Sequence, residues 1–363
     1  MLLDPGCSAC GPLEAALLDD SAAWRRLDPG GMVTFASGFP DQCRTALELA
    51  LAWPLPPAPA EIDRVVVAGM GGSAAGGDLL QSLARKPVTV IRGYETLPFV
   101  DCHTLFFAVS HSGDTEETLA AYQAARKAAA LALAVTSGGR LAEAARKDGV
   151  PLCKLPGGQP PRSAFGYLSI PLLVAAQNYG ALALPEGTMR EVMSVLHEAA
   201  EECSPMNPSP QNPAKQLALA LRGRMPIIYG AQGFTAAAAF RWKTQFNENA
   251  KIPAFSYSFP EMNHNEIMGW EGVKQEDNAF AVILLRDEAE SARMRARFEI
   301  SKSLIKDKAP IYEVWSRGEN HLSRAMHLNY LADWVTIYSA FLRGVNPSAI
   351  QAITTLKEAL SKI

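Results

Sequence analysis

Residues 65–77, VVVAGMGGSAAGG, pass from a β-branched run through a glycine cluster into small residues that continue as helix-competent DLLQSLARK. A short apolar run bounded by glycines and followed by a helical stretch predicts a buried strand leading into a helix. Outward from this unit the alternation repeats. Val88–Arg92, Leu105–Ser110, Ala132–Thr136 and Pro151–Leu155 read as strands, with helices over Glu116–Ala130 and Arg140–Lys147 between them. Strand–helix alternation at this spacing implies βαβ units: an α/β fold whose parallel sheet has helices on both faces.

The pattern then returns. Ile227-Ile228-Tyr229-Gly230 followed by AQGFTAAAAFRWKTQ repeats strand, glycine-containing turn and small-residue helix. Phe280–Leu285 and Ile311–Val314 read as later strands around a helix over Glu288–Lys306, and helices over Leu328–Leu342 and Ser348–Leu360 close the chain. The second half is thus expected to be a degenerate copy of the first, giving two α/β/α sandwiches. Residues 1–40 read as an N-terminal extension with one helix around Leu13–Leu27. The first domain covers 41–203, opening with a helix over Gln42–Ala52 and the Pro-rich WPLPPAPAE, which no helix continues through. The Pro/Asn-rich SPMNPSPQNP, residues 204–213, reads as a linker, and 214–363 as the second domain with its C-terminal helices.

Length and composition narrow the class. The 363 residues suit two domains, and 34 basic against 37 acidic residues leave a net charge of −3. This balance argues against a nucleic-acid or membrane-surface protein. The start MLLDPGCSAC has no early Lys or Arg and no apolar run, no stretch is long enough to span a membrane, and a cytoplasmic protein is expected. Six scattered cysteines do not form a disulfide framework. Cys7 and Cys10 make a CxxC, but no second pair or paired histidines complete a zinc site, so no metal is expected.

Ligands of open parallel sheets bind beyond the carboxyl ends of the strands. Two loops of the first half lie there. In the first, Gly69, Gly71 and Ala74 satisfy the dinucleotide pattern G-x-G-x-x-G/A, and Arg92, at the end of the next strand, could receive a 2′-phosphate; a plain helix–sheet packing role for the glycines is the lesser alternative. The second, Ser110-His111-Ser112-Gly113-Asp114-Thr115-Glu116-Glu117, sets three hydroxyls within six residues at a strand-to-helix turn. Capping by Asp114 with Glu117 reaching back, or by one hydroxyl, accounts for at most one of the three. A monophosphate accounts for all of them, because hydroxyls and helix amides hold it without Lys or Arg.

The second half carries Phe246-Asn247-Glu248-Asn249-Ala250-Lys251 and Pro260-Glu261-Met262-Asn263-His264-Asn265-Glu266. Carboxylates, an imidazole and amides between apolar flanks suggest a polar pocket suited to general acid–base work. Without an HxxxH or a second nearby histidine, a metal site is disfavoured. Lys251, three residues after Glu248, either sits beside that carboxylate or points away.

Together GMGGSAAGGD, VSHSGDTEET, PPRSAFGYL, WKTQFNENAK and PEMNHNEIMGW resemble the bifunctional phosphoglucose/phosphomannose isomerase family, of the sugar isomerase (SIS) fold group. The matches run in order from about Asp28 to Lys357. The SxSGxTEET turn marks any SIS domain, whereas FNENAK followed by PExNHNE is specific to this family. The resemblance implies two SIS domains, a homodimer with shared active sites lying between the domains and their symmetry mates, no metal or other cofactor, and a small phosphorylated sugar as substrate. The implied reaction is aldose–ketose isomerisation of glucose 6-phosphate or mannose 6-phosphate with fructose 6-phosphate. By matched motif, Gly72, Ser73, Ser110, Ser112 and Thr115 hold the phosphate. Glu248 moves a proton between C1 and C2. His264, sixteen residues on and donated by the neighbouring subunit, opens the ring with help from Lys357. By the same resemblance Arg162 would stabilise the enediolate, and Glu261, Asn263, Asn265 and Glu266 are read as groups that position His264.

Two departures accompany the resemblance. Asn346-Pro347-Ser348 stands where Asp-Pro-Thr is expected. The hydroxyl near C2 is implied to admit mannose, so Ser348 is the specificity residue. His111 stands where Tyr is common and is expected to point away from the phosphate. Residues 1–27 match nothing. Two other readings compete: a non-catalytic sugar-phosphate-binding SIS protein, for which the basic helix-turn-helix of such regulators is missing before Val65, and an NADP-dependent oxidoreductase on the Gly69 loop, which leaves the hydroxyl cluster without a use.

Overall fold

The computed structural model describes residues 12–95, 97–360 and 362; Cys7 and Cys10 lie outside them. By its contacts the chain divides into two compact units. One comprises residues 38–197 with 317–327. The other comprises 198–316 and 328–363 with the N-terminal residues up to Ser37.

The first unit holds a five-stranded, wholly parallel sheet of β1 (Arg64–Ala68), β2 (Val88–Ile91), β3 (Thr104–Val109), β4 (Leu131–Thr136) and β5 (Leu152–Lys154), in the order β2-β1-β3-β4-β5. Leu105 to Val109 are fully buried, the continuous apolar run expected of a central parallel strand covered on both faces. One core cluster packs Val66, Phe106 and Ala108 against Tyr122, Leu141 and Ala145 of the flanking helices Glu116–Lys127 and Gly139–Lys147. Burying a side chain such as Phe106 contributes about 1.5–3 kcal/mol. The strand order reverses between β1 and β3, so both loops singled out from the sequence leave the carboxyl ends of strands at the switch point.

The second unit repeats this topology. Strands β6 (Met225–Ala231), β7 (Phe255–Phe259), β8 (Phe280–Arg286) and β9 (Ile311–Trp315) form a parallel sheet ordered β7-β6-β8-β9, which reproduces β2-β1-β3-β4. Its core joins Tyr229, Phe259, Val282, Leu284 and Phe298.

Several helices differ from expectation for local reasons. The expected Leu13–Leu27 helix is two helices, Pro12–Asp19 and Ser21–Leu27. Asp20 interrupts it, its carboxylate accepting from the amides of Ala22 (2.8 Å) and Ala23 (3.2 Å) as an N-cap. The helix expected from Glu288 starts at Ala292, where Ser291 caps it through the Met294 amide. The expected Leu328–Leu342 helix starts at His321, where Asn320 caps it through the Ser323 amide at 2.9 Å, and the Glu191 carboxylate accepts from the amides of Glu319 and Asn320 and from the Ser323 hydroxyl. Those bonds outweigh desolvation and hold the Glu191 carboxyl below the usual range. Within 204–213, Ser209 and Asn212 are buried and Asn212 caps the Pro213–Ala220 helix. The stretch falls inside the second unit, whose boundary lies at His197/Glu198. The N-terminal helices join that unit too: Lys215, fully buried, meets the Asp19 carboxylate at 2.8 Å, and the Tyr330 hydroxyl donates to the Ala36 carbonyl at 2.8 Å.

Candidate functional site

At the switch point of the first unit the hydroxyls bond to one another and to the turn. The Ser110 and Thr115 hydroxyl oxygens lie 2.9 Å apart, and Ser110 Oγ accepts from the Gly113 amide at 3.0 Å. Ser112 Oγ accepts from the Asp114 amide at 3.3 Å, and Ser73 Oγ from the His111 amide at 3.2 Å, which joins the two loops. Gly113 is required here: its φ is +79°, and a Cβ would come within 1.8 Å of the Gly138 carbonyl oxygen. Thr115 occupies the N-cap position of the Glu116–Lys127 helix without a side-chain capping bond. Asp114 does not cap it either; its carboxylate accepts from the Arg140 amide at 3.1 Å. Among the described residues no side chain caps the first amides of this helix, which begins at the hydroxyl cluster, an arrangement that suits an anion.

The turn after β8, which corresponds by strand order to the turn after β3, is closed. The Arg286 guanidinium, 2% exposed, lies between the rings of Phe298 and Trp315 and donates to Glu290 at 3.0 Å and Glu299 at 3.1 Å. Glu290 also accepts from the Asp287 amide at 2.9 Å. The charges at the end of β8 are thus paired within the protein.

Gly72 opens the Gly72–Leu83 helix at a close approach: a Cβ there would lie 2.8 Å from the Pro161 carbonyl oxygen and 3.0 Å from the Arg162 amide nitrogen. Arg162, 3% exposed, is thereby brought to the glycine loop on the 3-10 turn Pro161–Ser163. Gln42 pins that turn, its amide donating to the Ser163 carbonyl at 2.9 Å and accepting from the Gly166 amide at 2.8 Å. Its position, far away in sequence, carries no local signal of this role. Burial lowers the pKa of His111 against a hydrogen bond to the Pro156 backbone, so the ring is neutral at pH 7, and its Nε2 has no partner among the described residues. Arg92, the residue considered for a 2′-phosphate, meets Asp78 at 2.6 Å.

In the second unit, Glu248 sits on a π-helical turn, Phe246–Ala250, that ends the Phe234–Gln245 helix; Lys251 follows with φ +55°. Single π turns recur at functional sites. One face of this segment is tied to the His321–Leu342 helix. Arg241 donates to Asp333 at 2.8 and 3.1 Å and to the Asn329 carbonyl at 2.6 Å, Gln245 donates to Asp333, and Asn249 donates to the Thr336 hydroxyl at 3.0 Å. Positions 241, 245 and 249 share one helical face. Lys251 Nζ donates to the carbonyls of Glu248 (2.6 Å) and Pro347 (3.2 Å), so the Glu248 turn is tied to the Ser348 segment.

His264 is exposed on the 3-10 turn Glu261–His264. The neighbouring polar groups brace the loop instead of the imidazole. Glu266 accepts from the Tyr229 hydroxyl at 2.6 Å, Asn263 donates to Ser301 at 2.8 Å, and Asn265 donates to Glu261 at 3.0 Å. Burial, with the hydrogen bond to Glu266, pushes the Tyr229 phenol far up, so it stays protonated and can keep donating. Lys357 lies on the Gln351–Leu360 helix, which buries none of its residues.

The SIS-domain family model described as "Bacterial phospho-glucose isomerase C-terminal SIS domain" matches residues 210–360. Among curated proteins, the chain is 39% identical over 330 residues to the bifunctional phosphoglucose/phosphomannose isomerase of Caldicellulosiruptor bescii, covering 90% of this chain and 97% of that one. It is 33% identical over 305 residues to the Aquifex aeolicus protein of the same name, covering 82% and 90%. Among solved structures, a hypothetical protein from Thermus thermophilus superposes with a TM-score of 0.73 at 18% identity over 96% of this chain and 95% of that one, a likeness of fold. On these grounds the chain belongs to the bifunctional phosphoglucose/phosphomannose isomerase family.

Proposed function

We propose that this protein interconverts glucose 6-phosphate and mannose 6-phosphate with fructose 6-phosphate. The observation that carries this reading is the Ser110–Thr115 turn, whose hydroxyls cluster at a helix N-terminus without capping it. Gly72, Ser73, Ser110, Ser112 and Thr115 hold the phosphate. Once the ring is open, the Glu248 carboxylate takes the proton from C2 of the aldose, the C1 carbonyl electrons move to oxygen, and a cis-enediolate forms. Transfer of the O2 hydroxyl proton to O1, with return of the carbon-bound proton to C1, gives the ketose. The Arg162 guanidinium balances the charge of the enediolate. His264 and Lys357 open the ring by moving a proton between O1 and O5, and Ser348 beside C2 admits the mannose epimer. None of these steps calls on a cofactor.

The reading extends to a homodimer in which His264 serves the partner's substrate. Its exposure in the single chain supports this, as does that of Phe255 and Tyr257 on β7 nearby. Free thiols at Cys43, Cys102, Cys153 and Cys203 agree with a reducing cytoplasm. Coupled assays with each hexose phosphate test the function. Conversion of both to fructose 6-phosphate is expected. Binding of both without turnover would favour a sugar-phosphate sensor instead.

A further inference from the structure

Ser348 lies against Gly30. A Cβ built on Gly30 would fall 2.1 Å from Ser348 Oγ and 2.4 Å from Ser348 Cβ. The first overlap yields to a rotamer change, but the second does not, because Cβ moves only with its backbone. The conformation of Gly30 is open to any L-residue, unlike that of Gly31 at φ +70°. What bars a side chain at position 30 is therefore Ser348 itself.

Both sides of this contact are braced. The buried Asp28 carboxylate accepts from the amides of Met32 and Val33, each at 2.8 Å, which fixes the Asp28–Gly31 turn. Across from it, Asn346 Oδ1 accepts from the Ser348 amide at 2.8 Å, and Lys251 holds the Pro347 carbonyl. Ser348 Oγ is buried with no hydrogen-bond partner among the described residues. Its seat against Gly30 closes this hydroxyl off, so a displacement of Ser348 changes whether a substrate oxygen can reach it and supply the missing bond.

We propose that Gly30 is a positioning residue for substrate selection: its bare Cα seats Ser348, and the height of that seat sets the preference between the epimeric 2-hydroxyls of the two aldose phosphates. This rests on the reading of Ser348 as the residue beside C2.

The test is a mutant cycle on the ratio of kcat/KM for mannose 6-phosphate to that for glucose 6-phosphate, with melting temperature measured for every variant. Gly30→Ala is expected to keep glucose 6-phosphate turnover and to change the ratio by about tenfold, the scale of one misplaced methyl group in a binding site. In a Ser348→Gly background, where both overlapping atoms are gone, Gly30→Ala is expected to leave the ratio where Ser348→Gly alone puts it. An unchanged ratio in Gly30→Ala, or an equal change in the Ser348→Gly background, overturns the proposal. Ser348→Ala tests the underlying reading separately. If it leaves the ratio unchanged, the role of Ser348 falls, and the selective role of Gly30 falls with it. If Gly30→Ala proves too unstable to assay, Gly30→Ser/Ser348→Gly, which moves the side chain across the contact, is expected to fold and to differ in the ratio from Ser348→Gly alone; equal ratios overturn the proposal.

Discussion

The Arg241 guanidinium meets the Asp333 carboxylate at 2.8 and 3.1 Å with both side chains under a tenth exposed, which fixes the helix that ends in the Glu248 turn. Removing one partner of a buried pair strands the other charge and costs about 3–5 kcal/mol. Asp333→Asn is therefore expected to lower stability by that amount in urea unfolding. If Glu248 is the base and the Ser110–Thr115 turn holds the phosphate, kcat should fall more than KM rises at temperatures where the variant remains folded.

The hydroxyl cradle predicts the opposite split. Replacing Ser110, Ser112 and Thr115 together by alanine removes up to three bonds to a charged group, and KM for glucose 6-phosphate should rise about a hundredfold or more. Ser112→Ala, at an exposed position, should raise KM without lowering the melting temperature. Unchanged KM in the triple variant would remove the phosphate assignment.

Asp19 gives the N-terminal helices a measurable role. Burial raises its pKa, but hydrogen bonds from Lys215 and Ser209 outweigh this and leave it below the usual carboxylate value. A folded-state pKa below the unfolded one contributes stability above the unfolded pKa of about 3.9, and that contribution disappears as pH falls through the folded value. Asp19→Asn should melt several degrees below the parent at pH 7, with the gap closing in acid. A gap independent of pH would mean that shape, not charge, joins Asp19 to Lys215.

If His264 serves the partner's substrate, two dead variants should revive each other. Glu248→Gln and His264→Ala, each inactive alone, are expected to regain up to about a quarter of parental activity once their subunits are mixed and exchanged, the share of sites receiving both intact groups in random dimers. Mixed dimers without activity would place both groups on one chain's site.

Much of this was legible in the sequence. The eight strand runs read from it lie on strands of the two sheets; the central ones, covered on both faces, are continuous apolar runs, and the edge strands β2, β5 and β9 still carry short apolar or β-branched runs. β7 escaped because FSYSF is an edge strand whose Phe255 and Tyr257 are exposed, so it carries no such run. The helix Phe165–Asn178 is buried nearly all round and contains Pro171, so it shows neither a polar face nor a clean helical period. The hydroxyl cluster stood out because capping uses one hydroxyl at most. Arg241, Asp333 and Gln42 did not, since their roles arise from pairings with residues about ninety or more positions away.

Glu248 is proposed to carry the proton between C1 and C2. The direct measurement is incorporation of solvent deuterium at C1 of fructose 6-phosphate and C2 of glucose 6-phosphate, followed by NMR in the parent and in Glu248→Gln. Exchange in the parent, and its loss in a variant that still binds fructose 6-phosphate, is the predicted result. Exchange at the parental rate in Glu248→Gln would assign the proton transfer to another group.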